Sequence, residues 1–230
     1  MNALKDTIVT EDDVNLLVVI IDTNPIIWAS KDSIFTLKDI VHHLLIYINA
    51  HLSLKHDNEV VVIASHTGFS KFLYPIPLES KSESLQQKSD KSINSTLYQR
   101  FRVINDQVIL NLKTLIKDLN IENINNKHID RGSSMIAGAL SMSLCCILIK
   151  LSDEIGHIKP RMMIISVSPD SPYQYISIMN CIFSAQKLGI PMDVCKLFDE
   201  GTVFLQQASF ITGGRYLKLE NPHGFLQSLM

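Results

Sequence analysis

Short apolar runs along the chain predict the strands of a β-sheet. They lie at residues 16–21, 60–64, 162–165 and 192–197, with a weaker run at 215–219. The first three runs are continuous rather than alternating, which is typical of parallel strands covered on both faces. Residues 69–74 follow the second run closely and predict a hairpin whose returning strand is antiparallel.

Helical periodicity occupies the segments between these runs. Thr36 opens T-L-K-D, a capping-box start, and apolar residues then recur every three or four positions as far as Leu52. The same spacing from Leu97 to Leu119 predicts a long amphipathic helix. Three further helices are predicted after Ser133 and Ser134, from Ser171-Pro172 to Gly189, and from Thr202 to Thr212.

Strands that alternate with helices predict an α/β fold. We expect a doubly wound, mostly parallel sheet with one antiparallel edge strand and helices on both faces. Residues 75–96 differ in composition because they hold six Ser and three Lys and few apolar residues. We therefore expect one domain over residues 1–230, with a mobile Ser/Lys-rich excursion at about 75–96.

Composition excludes several classes of protein. The formal net charge of −2 over 230 residues argues against a strongly basic nucleic-acid-binding surface, and 46% hydrophobic residues argue against disorder. Four cysteines without a C-x-x-C pair argue against a zinc finger, and the first residues lack the features of a signal peptide. The apolar stretch 135–149 is short for a membrane span and predicts a buried helix.

Candidate chemistry lies where the first strand ends. Asp22-Thr23-Asn24 follows the apolar run directly, and ligands of doubly wound folds bind at the carboxyl ends of the strands. An acid at this position can hold a hard cation through oxygen ligands. Three known designs begin in this way: the metal site of von Willebrand A domains, the catalytic centre of PIN-type nucleases and the D-x-D motif of haloacid-dehalogenase phosphatases. The third fits poorly, because residue 24 is Asn and not a second Asp.

The von Willebrand A template fits the layout of the chain but not its ligands. Asp22 and Asn24 take the first two positions, and Ser134 takes the place of the loop Thr. Ile26 and Val167 stand at two positions that need oxygen ligands, so the sequence predicts a degenerate metal site. The other interpretation of Asp22 is a carboxylate that accepts hydrogen bonds from loop amides.

A magnesium-dependent PIN-type nuclease centred on Asp22 is the alternative function. V-V-I-I-D-T-N is close to the opening motif of that class. Two-metal hydrolysis needs several carboxylates that converge on the ions. The next strand ends carry Ser65-His66 and Ser166-Val167-Ser168, with no acid at either immediate end.

Several blocks of the sequence together resemble one family. They are N-L-L-V-V-I-I-D-T-N-P-I-I-W (15–28), V-V-V-I-A-S-H-T-G-F-S-K-F-L-Y-P (60–75), Q-Y-I-S-I-M-N-C-I-F-S-A-Q-K (174–187) and F-L-Q-Q-A-S-F-I-T-G-G-R-Y-L (204–217). In this order they resemble the thirty-four-kilodalton subunit of the general transcription factor TFIIH. The resemblance runs from about Val14 to the end of the chain, and it is weakest in the Ser/Lys-rich excursion.

The resemblance implies a von Willebrand A-like domain with a degenerate metal site and no enzymatic activity. It also implies a nuclear, structural role in the TFIIH core, in initiation by RNA polymerase II and in nucleotide excision repair. The expected partner is the RING-like zinc domain of another core subunit. Zinc is expected only in a C-terminal module of the family whose cysteines this sequence lacks, so the resemblance implies no cofactor here. A membrane role and direct contact with nucleic acid are not expected.

The helix after Ser134 is apolar on nearly all sides, which makes it a candidate for the partner surface. Gly138, Met142 and Cys145 lie on a second face of small or adaptable side chains, beside the face that the core needs. The sequence leaves open whether this second face binds a partner. The Ser/Lys-rich excursion or the long helix that begins at Leu97 could cover it instead.

Overall fold

Strands and helices alternate along the part of the chain that this computed structural model describes, residues 14–30, 36–76, 97–122, 133–153, 158–198, 202–219 and 224–229. The strands are β1 (Val14–Asp22), β2 (Glu59–Ser65), β3 (Ser70–Tyr74), β4 (Ile158–Ser166), β5 (Met192–Leu197) and β6 (Tyr216–Leu219). The helices are α1 (Pro25–Ser30), α2 (Leu37–Leu54), α3 (Leu97–Glu122), α4 (Ile136–Asp153), α5 (Tyr175–Leu188), α6 (Val203–Thr212) and α7 (Phe225–Leu229).

The strands of the described residues form a six-stranded sheet in the order β3-β2-β1-β4-β5-β6. Neighbouring strands are parallel except β2 and β3, so β3 is an antiparallel edge strand. β1 lies between β2 and β4, with Asp22 paired to Ser65 and Ile21 paired to Ile165. The predicted doubly wound sheet with one antiparallel edge is therefore confirmed.

Both faces of the sheet are buried under helices. Val19 and Ile21 belong to the core that contains residues of α2, α3 and α7, whereas Val18 and Ile20 belong to the core that contains residues of α4, α5 and α6. All four side chains are fully buried. Since successive residues of a strand point to opposite faces, a continuous apolar run is what such a two-sided core requires.

Local signals set most helix ends, with two differences from the prediction. Thr36 and Asp39 form the predicted capping box at the start of α2, and Gly189 ends α5 in the left-handed conformation. The short helix α1 was not predicted, because six residues are too few for a helical period to be visible. Pro172 begins a 3-10 turn without a side-chain cap from Ser171, and α5 starts only after that turn.

Two other expectations concern a membrane span and the Ser/Lys-rich excursion. No helix of the described residues, α4 included, is long and apolar enough to cross a membrane. The predicted Ser/Lys-rich excursion falls mostly on residues 77–96, which lie outside the described residues, so it stays a prediction.

Candidate functional site

Three polar side chains lie in one row across the carboxyl ends of β1, β4 and β5. Ser166 is paired with Lys196, and Asp22 follows Ile21, which is paired with Ile165. Asp22, Ser166 and Lys196 are fully buried. Because side chains alternate along a strand, all three point to the face of the sheet that α4, α5 and α6 cover.

The carboxylate of Asp22 accepts hydrogen bonds from the backbone around it. Oδ2 accepts from the amides of Val167 at 3.0 Å and Ser168 at 2.7 Å, and Oδ1 accepts from the amide of Asn24 at 3.2 Å. Burial raises the pKa of Asp22 above its ordinary value, and the hydrogen bonds from Ser168, Val167 and Asn24 oppose that change. This is the arrangement of loop amides that the sequence offered as the other interpretation of Asp22.

The side chain of Asn24 also makes hydrogen bonds to the loops around it. Its Nδ2 donates to Oγ of Ser168 at 3.0 Å, and its Oδ1 accepts from the backbone amide of Ile26 at 3.1 Å. Asn24 is fully buried, while Ile26 is partly exposed on α1. The amide side chain therefore fastens the β1–α1 loop to the loop after β4.

Ser134 lies at the start of α4, where the layout of the fold predicted it. Its side chain is buried, and its Oγ has no hydrogen-bond partner among the described residues. Gln174 holds this segment, because its Nε2 donates to the carbonyl of Ser134 at 2.9 Å and its Oε1 accepts from the amide of Ala137 at 3.1 Å. Sequence reasoning missed this function of Gln174, since Gln174 lies 40 residues from Ser134 and 37 residues from Ala137 along the chain.

Lys196 brings a charge into this buried cluster. Its ammonium donates to the carbonyl of Ser168 at 2.6 Å. The loop residue Ser168 therefore contacts both Asp22 and Lys196, through its amide and its carbonyl. Lys196 was not predicted as part of this site, although a lysine inside an otherwise apolar strand is a signal that the sequence contains.

His66 ties the end of β2 to the end of β1. Its Nδ1 donates to the carbonyl of Thr23 at 2.9 Å, and Oγ1 of Thr23 donates to the carbonyl of Ser65 at 3.1 Å. Burial lowers the pKa of His66 below its ordinary value. The neutral imidazole thus serves as a fixed donor beside the Asp22 loop.

The residues at this end of the sheet do not fit a divalent metal ion. Ile26 and Val167 offer no side-chain oxygen, and the oxygens of Asp22 already accept three amide hydrogen bonds. Within the described ranges no group of three or more His, Cys, Asp or Glu side chains is placed to hold a metal. The PIN-type nuclease alternative, which needs further carboxylates around Asp22, therefore has no support in this geometry.

The predicted partner face of α4 is only partly open. Cys145 is exposed, whereas Gly138 and Met142 are half-buried. A Cβ atom at Gly138 would lie 3.1 Å from Oγ of Ser70, and Met142 packs against the core. Glutamate at either position would therefore disturb the fold as well as any partner surface. Cys145 and the exposed Ile149 are better probes of this face.

One of the two proposed covers for this face is wrong. The long helix α3 packs on the opposite side of the sheet, with Ile104, Val108 and Leu112 in the core that contains residues of α2 and α7. It therefore does not cover the outer face of α4. The other proposed cover, the Ser/Lys-rich excursion, lies mostly outside the described residues.

Two solved structures support the fold, one that is also similar in sequence and one that is similar in structure alone. The crystal structure of the TFIIH p34 N-terminal domain aligns with 96% of this chain and 99% of its own, with a TM-score of 0.76 and 31% sequence identity. The SpRpn10 VWA domain aligns with 94% of this chain and 93% of its own, with a TM-score of 0.57. At 9% identity, that second likeness shows the von Willebrand A fold alone.

Comparison of sequences gives the family. The tfb4 subunit of general transcription and DNA repair factor IIH from Schizosaccharomyces pombe is 38% identical over 220 residues, 95% of this chain and 69% of that protein. The TFB4 subunit from Saccharomyces cerevisiae is 34% identical over 237 residues, 96% of this chain and 68% of that protein. Residues 14–230 match the family described as Transcription factor Tfb4. The chain therefore belongs to the Transcription factor Tfb4 family.

Proposed function

We propose that this chain is a structural, non-catalytic subunit of TFIIH that acts in the nucleus, in initiation by RNA polymerase II and in nucleotide excision repair. The supporting observation is the match over nearly the whole chain, in sequence and in structure, to subunits of that factor. The relatives are named as factor subunits rather than as enzymes. The buried cluster around Asp22 agrees with this role, because its groups hold loops together.

The partner that we propose is the RING-like zinc domain of another TFIIH core subunit, bound on the outer face of α4. Leu148 and Ile149 are exposed there beside Cys145, in a helix whose inner face is fully packed. The cation at the end of this helix, Lys150, pairs with Glu59. Exposed apolar side chains on a core helix support a protein–protein contact rather than a contact with DNA.

Calorimetric titration of this chain with that RING-like domain tests the proposal. We expect saturable one-to-one binding, and we expect Ile149→Glu and Cys145→Arg each to weaken it by about tenfold or more. Leu110→Glu on α3 is the matched control, because Leu110 is 63% exposed and Ile149 is 62% exposed on opposite sides of the sheet. The control should bind as the wild type does.

Thermal unfolding of each variant separates lost binding from lost folding. A folded wild-type chain that does not bind the RING-like domain would overturn the proposed partner. Equal binding by Ile149→Glu and the wild type would show that the RING-like domain does not bind on the outer face of α4.

A further inference from the structure

A cavity of about 470 Å³ lies between α2, α7 and the sheet, on the face of the sheet opposite α4. The sheet contributes Met163 of β4, Cys195 of β5 and Leu217 of β6 to its lining, and α7 contributes Leu229. These apolar side chains belong to, or pack against, the core that contains residues of α2 and α7. The cavity is therefore separate from the Asp22 cluster and from the outer face of α4.

One carboxylate and two guanidinium groups line this cavity. The carboxylate is Asp193, whose side chain is only 11% exposed. Its Oδ2 accepts a hydrogen bond from Nε of Arg161, and its Oδ1 accepts one from the backbone amide of Arg215 at 2.9 Å. Because Asp193 carries a single negative charge, it balances Arg161 and leaves the guanidinium charge of Arg215 uncompensated among the lining residues.

Hydrogen-bond donors in this cavity have no acceptor within the described part of the chain. Arg161 uses Nε for Asp193 and keeps its two terminal nitrogens, and the guanidinium of Arg215 makes no hydrogen bond to a described residue. Tyr47 adds a hydroxyl group, and burial raises its pKa above the ordinary value, so it is a protonated donor at neutral pH. Since the planar fork of a guanidinium pairs with two oxygens of a phosphate or carboxylate, these side chains can bind an oxyanion.

The size and the lining of the cavity favour an organic phosphate over a bare ion. Its volume falls within the range of pockets that bind small molecules. The three donor groups match the three terminal oxygens of a phosphate monoester, whereas a carboxylate has two. Met163, Cys195 and Leu217 would still face water beneath a bare phosphate, but an aromatic or aliphatic body attached to the phosphate would cover them.

We propose that this cavity binds an organic phosphate monoester, with the phosphate on Arg161, Arg215 and Tyr47 and the apolar body against the sheet. The phosphate also balances the charge of Arg215 that Asp193 leaves uncompensated. A free small molecule and a phosphorylated tyrosine side chain of another protein share this chemistry. The cavity and α4 lie on opposite faces of the sheet, so the site is independent of the proposed RING-like partner.

Calorimetric titration of this chain with phenyl phosphate tests the site. We expect saturable one-to-one binding, and we expect inorganic phosphate to bind about tenfold more weakly because it lacks the apolar body. Arg215→Met should weaken the binding of phenyl phosphate by about tenfold or more. The variant should stay folded, because Asp193 accepts from the backbone amide of residue 215 and not from its side chain. Arg161→Lys, which keeps the charge but lacks the planar fork, should also weaken binding.

Arg102→Met on α3 is the matched control, since the side chain of Arg102 is 75% exposed outside the cavity, and it should bind phenyl phosphate as the wild type does. Equal binding by Arg215→Met and the wild type would overturn the inference, and so would equal binding of phenyl phosphate and inorganic phosphate. A folded wild-type chain that does not bind phenyl phosphate at millimolar concentration would also overturn it. A phosphotyrosine peptide that binds more tightly than phenyl phosphate would assign the phosphate to a protein, and one that binds more weakly would assign it to a free small molecule.

Discussion

The backbone amide of Ser168 donates a 2.7 Å hydrogen bond to the carboxylate of Asp22 across 146 residues of chain. This contact joins the ends of β1 and β4 where a von Willebrand A domain with a metal site would hold its ion. The amides of Val167 and Ser168 use the oxygen that a metal would need. The domain therefore retains the acid as a support for its loops.

Substitution of Asp22 tests that structural role. Asp22→Ala leaves the three buried amides of Asn24, Val167 and Ser168 without their acceptor, so we expect it to lower the free energy of unfolding by about 2–4 kcal/mol. Asp22→Asn keeps one carbonyl oxygen as an acceptor and should cost less. Urea unfolding at neutral pH measures both variants. A change within about 0.5 kcal/mol for Asp22→Ala would contradict the role, since surface substitutions typically stay within that range.

Divalent metal should leave the stability of the domain unchanged. A ligand that binds the folded state raises the melting temperature with its concentration. Because the oxygens of Asp22 are engaged and Ile26 and Val167 offer none, we expect no shift with Mg²⁺ or Mn²⁺ at millimolar concentration. A von Willebrand A domain with a complete metal site is the positive control in the same thermal assay. A dose-dependent rise that Asp22→Asn abolishes would show that the site binds metal.

Lys196→Met should destabilise the domain although it exchanges a charge for an apolar side chain in a buried position. The substitution removes the donor to the carbonyl of Ser168, which we expect to lower the free energy of unfolding by about 2 kcal/mol. Because Asp22 contacts the same loop residue, the loss in the double variant with Asp22→Asn should differ from the sum of the single losses. Lys113→Met on the exposed side of α3 is the control, and additive losses would refute the coupling.

His66 should contribute a loss of stability as the pH drops below neutral. Burial lowers the pKa of His66 in the folded state below its ordinary value of 6.5. Between that lowered pKa and 6.5 the unfolded chain binds more protons than the folded chain, so the free energy of unfolding decreases with decreasing pH.

His66→Asn, which can still donate to the carbonyl of Thr23, should show a shallower dependence on pH. The pKa of His51 is shifted in the same direction, so the variant should keep part of the slope. Chemical unfolding at pH 7.5 and pH 5 measures the difference, and an unchanged slope in His66→Asn would exclude this residue as a contributor.

The apolar pattern predicted the sheet because its central strands need apolar side chains on both faces. The continuous runs around Val18 and Val61 are typical of such buried strands, and these two strands pair in parallel with each other. The capping box at Thr36 and the glycine at 189 act within a few residues of their helix ends, so the sequence shows them directly. The chain forms a 3-10 turn after Ser171, and α5 begins only at Tyr175. No local signal in the sequence distinguishes this turn from a first turn of α-helix at Pro172.

The sequence by itself determined the strands, most helices and the polar residues at the end of β1, since these follow from periodicity and adjacent residue types. It also showed that Ile26 and Val167 cannot serve as metal ligands. Only the tertiary structure decided what Asp22 contacts, that Lys196 joins the same cluster, and which apolar side chains of α4 are exposed among the described residues. The reason is that these features arise where segments far apart in the chain meet, and the identity of one residue does not specify its distant neighbour.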